Sequence, residues 1–243
     1  MTAISSPSTP PKPGPPKVLR AVVVMDYQNV HLVGRKRFRP HSEPTHLSVI
    51  HPLVYANRLI DKRNARQRVG FSKARLSKIH VFRGQPDSTF DPIGYGASLA
   101  QTEAWEKSNP DVVRITNRAL TYEYVRDAMG SKIRDIHGNF IQKPGSKPSE
   151  KGVDVLCALA AYRAAQEEDV DLVILASIDS DLVPVLHAIQ ESRAAKVETA
   201  CWGDKRYGPY GELRTDPGYP DIWTTHLDRE DFEAVVDSTV YLP

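Results

Sequence analysis

Two short apolar runs, each ending abruptly in acid, constrain this chain more than any other feature. Ala21-Val-Val-Val-Met25 runs into Asp26, and Leu172-Val-Ile-Leu-Ala176 runs into Ser177-Ile-Asp179-Ser-Asp181. A strand with one wet face alternates apolar and polar residues, so an unbroken apolar run predicts a strand covered on both faces, as in parallel sheets. Further strands are expected at 78–82, 111–115 and 197–201, the last closing the set. Helical patterns fall between them. Pro52 opens one with Leu53, Ala56, Leu59 and Ile60, another covers about 98–107, and a third carries Val153, Leu156, Cys157, Ala160 and Ala164 behind Ser149 as N-cap. Leu182, Val185, Leu186 and Ile189 form a fourth, with Ser180 as its cap and Pro184 in its first turn. Strands alternating with helices predict βαβ units in a doubly wound α/β sheet. The expectation is one domain over residues 18–243 without internal repeats.

Composition excludes more than it selects. Hydrophobic residues make up 40% of the chain and charged residues 26%, ordinary values for a globular protein. No stretch approaches the roughly 18 apolar residues of a membrane span. Residues 1–17 hold six of the 19 prolines and no apolar core. They read as a disordered leader rather than a secretory signal, which makes the cytoplasm the expected location. Cys157 and Cys201 are too few and too far apart for a zinc cage, and Cys157 lies on a helical apolar stripe, as a buried, inert thiol would. His41, His46 and His51 sit in a proline-containing loop and are not taken as a metal set.

The net charge of +2 conceals an asymmetry. From His31 to Lys78 there are twelve Lys/Arg against two acids, whereas from Ile79 onward seventeen basic residues face twenty-seven acidic ones. This suits a protein that grips phosphates with one surface and holds cations with another. Arg35, Lys36, Arg37 and Arg39, just beyond Asp26, and Arg58, Lys62, Arg63 and Arg66 at near-helical spacing, are the expected nucleic-acid-facing residues. Residues 121–149 read as a hairpin-like insertion turning at His137-Gly138-Asn139, with Arg126, Lys132, Arg134, Lys143 and Lys147 as a substrate guide.

In open parallel sheets, ligands bind beyond the carboxyl ends of the strands. Asp26, Asp179 and Asp181 lie at such ends, and Asp154 opens a helix behind Lys151-Gly152. Unit charges about 4 Å apart repel by roughly 4 kcal/mol near a protein surface, so converging carboxylates call for a cation. An all-oxygen donor set favours Mg²⁺ or Mn²⁺ over zinc.

The motifs, taken in order, resemble the NYN domain family of the PIN-like nucleases. Asp26-Tyr-Gln-Asn29 after a hydrophobic strand is similar to its D-x-x-N signature, Lys151-Gly-Val-Asp154-Val to K-G-V-D-V, and Ser177-Ile-Asp179-Ser-Asp181-Leu to S-G-D-S-D-F. A closing helix near Leu227…Asp231-Phe232 extends the match. The resemblance implies a Rossmann-like sheet and metal-dependent endonucleolytic cleavage of RNA. It implies Asp26, Asp154, Asp179 and Asp181 as metal ligands, directly or through water. Asn29 would orient a water or phosphate oxygen, Ser177 or Ser180 would bond a carboxylate or phosphate, and Lys151 would meet the scissile phosphate. Ala160 stands where many members carry a further Asp, and Ile178 replaces a glycine. The alternative function is an RNA-binding or regulatory module with a weakly active or inactive pocket. A haloacid-type phosphatase would need D-x-D-x-T after the first strand, which Asp26-Tyr-Gln-Asn29 does not supply.

Overall fold

The first apolar run forms β1 (Leu19–Asp26) and occupies the middle of the sheet because both of its faces are covered. Ala21, Val23 and Met25 enter one hydrophobic core, and Val22 and Val24 enter the other. The structure, a computed structural model, describes residues 17–204, 208–209 and 211–241. The leader expected at 1–17 therefore lies, apart from Lys17, outside the described residues.

β1 pairs in parallel with β2 (Ala74–Gln85) on one side and β4 (Leu172–Ala176) on the other. β3 (Val113–Ala119) continues from β2, β5 (Lys196–Asp204) from β4, and β7 (Thr224–Leu227) from β5. The parallel order is thus β3-β2-β1-β4-β5-β7, with the two-residue β6 (Gly208–Pro209) antiparallel at the end of β5. Helices α1 (Tyr27–Phe38), α2 (Pro52–Arg66), α3 (Pro92–Ser108) and α6 (Arg229–Val235) cover the Met25 face. Helices α4 (Val153–Ala165) and α5 (Val183–Ser192) cover the Val24 face. This is the expected Rossmann-like α/β arrangement. Cys157 lies buried in the second core, where burial pushes its thiol pKa well above the ordinary range. Among the described residues no helix is long and apolar enough to cross a membrane.

Several expectations need correction. The chain after Asp26 is not a loop but α1, whose buried stripe is Tyr27, Val30, His31, Gly34 and Phe38. The strand set does not close at Cys201, since β7 adds to β5. Ser149 does not cap α4; Gly152 does so at φ +77°, and Ser149 instead bridges Thr121. Asp179, not Ser180, caps the short 3₁₀ turn Ser180–Leu182.

The insertion is also more than a hairpin, and it carries an eight-residue repeat. Arg126-Asp127-x-x-Gly130-Ser131 and Arg134-Asp135-x-x-Gly138-Asn139 fold identically. In each lobe the Asp carboxylate accepts two backbone N–H groups, from Met129 and Ser131 or from His137 and Asn139, and the Arg donates to the Gly carbonyl. The lobes close a ring of backbone bonds in which Ile133 N donates to Val125 O, Ile141 N to Ile133 O and Val125 N to Ile141 O.

Part of the basic segment is spent within the fold. Arg58 and Lys62 of α2 meet the fully buried Asp231 at 2.6 and 2.7 Å, docking α6, whose N-terminus is a capping box of Asp228 and Asp231. Arg39 reaches Glu233 at 2.6 Å. Arg63 forms a bidentate pair with Glu198 of β5, both bonds 2.8 Å and both residues buried. Removing one partner of a buried pair strands the other charge, at a cost of about 3–5 kcal/mol. Arg63→Met should lose that much in urea unfolding, and adding Glu198→Leu should restore most of it. A single variant as stable as the wild type would show that the pair contributes little.

Candidate functional site

Strand order reverses between β1 and β4, so the loops leaving these two strands part and open a crevice at their carboxyl ends. Both acid-tipped runs end there. Asp26 is 6% exposed. Its Oδ1 accepts the Asn29 N–H at 3.1 Å as the cap of α1, and its Oδ2 accepts the Ser177 hydroxyl at 3.3 Å. Ser177 Oγ in turn accepts the Asp179 N–H at 3.1 Å, and Asn29 Oδ1 accepts the Ile178 N–H at 3.1 Å. The two strand ends are therefore laced together across the switch point by the first residues of both motifs. The extra bulk of Ile178 is met by Gly211, at φ +69°, where a Cβ would stand 2.6 Å from the Ile178 side chain.

Asp154 enters from the first turn of α4, behind a left-handed Gly152 and a Lys151 carbonyl that accepts from Arg118 at 2.6 Å. Burial pushes the Asp26 carboxyl up to about 6 against the lowering effect of Asn29 and Ser177, and the charges of Asp179 and Asp154 push it the same way. Those three acids share one electrostatic neighbourhood. Asp181 is exposed beside them, its backbone N–H donating to Asp179 Oδ1 at 3.0 Å. Ser180 and Lys151 are exposed as well.

The missing member is Glu150. Its carboxylate accepts the Gly84 N–H from β2, and Gln28, with its amide nitrogen turned toward it, donates to its two oxygens at 2.6 and 2.9 Å. Burial raises the Glu150 pKa to about 7, and the Asp26 charge adds to the rise. Its only sequence signal is position, as the one acid between Asp135 and Asp154.

Arg35, Lys36 and Arg37 do not stand beside the crevice. They occupy the last turn of α1, which carries them roughly 13 Å along the helix axis from Asp26. Arg35 donates to the carbonyls of His41 and Glu43 there.

The donor set fits a hard divalent cation in kind, being carboxylate oxygen throughout. Among the described residues no group of three or more His, Cys, Asp or Glu is arranged to hold an ion by itself. Magnesium commonly takes only one or two carboxylates and completes its shell with water and phosphate oxygens, so a sparse set still suits it.

No family model matches the chain, and no curated protein matches it. The crystal structure of a protein of unknown function from Vibrio parahaemolyticus is similar to it, with a TM-score of 0.40 and 17% identity over 79% of this chain and 85% of that one. A likeness that distant carries no function across.

The raised carboxyls give a pH signature. Below its ordinary value of 3.8 Asp26 is protonated folded or unfolded; between there and about 6 the folded state alone keeps the proton. Its contribution to stability is therefore lost as pH rises through about 6. Buried His31 and half-buried His51 and His80, with lowered pKa values, pull the wild-type curve the other way, so the difference between proteins is the clean readout. Asp26→Asn should gain on the wild type by on the order of 1–2 kcal/mol between pH 4 and 7, measured by urea unfolding in EDTA. A difference that stays constant or shrinks over that range would overturn the assignment.

Proposed function

We propose that this chain is a metal-dependent endoribonuclease, similar to the NYN enzymes, that hydrolyses RNA phosphodiester bonds in the crevice between β1 and β4. One observation carries the reading. Asp26, Asp154 and Asp179 gather at the switch point, and among the described residues none of them forms an ion pair. A protein bears such mutual repulsion where a cation and a substrate relieve it.

One or two of Asp26, Asp154 and Asp179 would hold Mg²⁺ or Mn²⁺ directly, and the rest through water. When bound, the ion supplies a more acidic water and stabilises the departing oxygen. The rest is the work of the chain. Ser177 and the Asn29 N–H hold the Asp26 carboxyl in one orientation, and Asn29 fixes the turn that presents Asp179. Glu150, with its pKa near neutrality, accepts a proton from the attacking water and returns it to the leaving group. Lys151, exposed at the mouth, faces incoming phosphate.

The alternative, an RNA-binding module with a weak pocket, is favoured by the exposure of Asp181 and by Ala160 in place of a further acid. Incubating the purified protein with mixed RNA in Mn²⁺, Mg²⁺ or EDTA separates the two. Metal-dependent cleavage is expected. Asp179→Asn and Asp154→Asn should lose more than the roughly 10- to 100-fold that removal of a mere supporting group costs, while remaining folded. RNA bound but left intact in every condition would favour the binding module.

Among the described residues the side-chain and backbone hydrogen bonds of 125–141 stay within the insertion and its stem, so it should guide the strand rather than build the centre. Tyr124 and Gln142 already pair across that stem. Replacing residues 125–141 by Asn-Gly should change which RNAs are bound, while Mn²⁺ still raises the melting temperature. A folded deletion that no longer responds to Mn²⁺ would place metal ligation in the insertion.

A further inference from the structure

A groove of about 390 Å³ runs from the acid crevice between α1 and α3, sharing Gln28 and Glu150 with it. Its charged lining is the guanidinium of Arg83 with the carboxylates of Glu150 and of Asp91, the cap of α3. Arg83 of β2 lines the groove, and among the described residues it makes no ion pair. Its Nη1 donates to Gln101 Oε1 at 2.8 Å, but its Nε is sealed from solvent and meets no acceptor. The rings of Tyr27 and Trp105, 4.8 and 5.2 Å from its Cζ, soften the charge without accepting that hydrogen bond. Burial holds the guanidinium pKa below its ordinary value, with Tyr27 and Glu150 acting in the opposite sense.

A second donor waits in the same wall. Ser98 of α3 is 2% exposed and its hydroxyl has no partner. Burial and the Arg83 charge pull the neighbouring His31 down to about 4, so it is neutral and leaves Arg83 as the cation of the groove. Buried donors are almost always satisfied, and an unpaired buried cation is among the costliest arrangements a fold can keep. A guanidinium fork beside a hydroxyl matches the oxygens of a phosphate.

We infer that this groove is an anion subsite that receives a phosphate group of the bound polynucleotide, with Arg83 supplying its charge and Ser98 a second donor. The inference rests on the proposed RNA reading only for the identity of the strand. The phosphate is either a chain end or an internal phosphodiester.

Binding without cleavage tests it. Labelled single-stranded RNA, with a 5′-phosphate or a 5′-hydroxyl, is titrated in EDTA at several KCl concentrations. Arg83→Gln should weaken binding about tenfold and make the slope of log K against log salt shallower by about 0.7, one phosphate contact on a single strand. Ser98→Ala should weaken binding about threefold yet melt no lower than the wild type, because it removes a buried hydroxyl that had no partner. A hydroxyl serving only the fold would show the reverse. Inorganic phosphate, against KCl of equal ionic strength, should raise the melting temperature of the wild type and not of Arg83→Gln.

Loss confined to 5′-phosphorylated RNA places a chain end in the groove, and loss with both RNAs places an internal phosphodiester there. Full affinity and an unchanged salt slope in the variants would overturn the subsite. If Arg83→Gln does not fold, Ser98→Ala decides alone, and full affinity in it overturns the proposal. Because no bond is cleaved, these outcomes are independent of the metal-dependent assay. Inactivity with Mn²⁺ would sink the nuclease reading and leave the subsite, and unchanged binding would do the opposite.

Discussion

The structure depends on one placement, β1 between β2 and β4 with both faces covered. Parallel pairing on each side sets Asp26 opposite Phe82 of β2 and Met25 opposite Ala176 of β4, so the chain leaves β1 and β4 at the same level and in different directions. The crevice follows from that divergence. It is held open by bonds that are themselves polar and buried, Ser177 to Asp26 and Ile178 to Asn29. The apolar run and the acid that ends it act together: the run forces the strand into the centre, and the centre forces the acid out of water.

The charge asymmetry turns out to be directed in part inward. A run of bases looks like a surface for phosphates when only its sign is visible. In three dimensions Arg58, Lys62 and Arg63 face Asp231, Asp228 and Glu198 from the acidic remainder of the chain. The basic α2 thereby clamps the last helix and the fifth strand to the sheet. Charge composition cannot distinguish an external partner from an internal one, because the deciding quantity is which acids lie within about 4 Å after folding.

What was legible in the residues was whatever is written locally. The buried strands and the helices α2, α4 and α5 carry their period in Val, Leu, Ile and Ala. Helix α1 carries it as well, but through His31 and Gly34, residues that a count of apolar positions passes over. β7 is Thr-Thr-His-Leu, a strand held partly by the Thr199–Thr224 hydroxyl pair at 2.8 Å, and it has no apolar run to announce it. The repeat in the insertion was present in the spacing of Arg-Asp and Gly. Its meaning lies in an aspartate that builds a turn by accepting two backbone donors, which looks from sequence like one more exposed acid. Glu150 was the least legible, because it is tied to Asp26's neighbourhood through Gly84 and Gln28, partners 66 and 122 positions away by their residue numbers.

The two halves of the site explain each other's cost. The crevice gathers carboxylates that repel, and the groove beside it keeps a guanidinium with an unmet donor. They do not cancel, although both are near Glu150. The Gly84 N–H and the Gln28 amide hold Glu150 on the crevice side, where it adds to the negative field around Asp26 instead of closing on Arg83. Carboxylates without ion pairs beside a guanidinium with an unmet donor suit, on the proposed reading, a ligand that is itself bipolar in its needs. A phosphate strand accompanied by a divalent cation meets that description, with its phosphate toward the groove and the cation toward the acids. Stability forgone in the free protein is then recovered on binding, as expected where function rather than stability sets the charges.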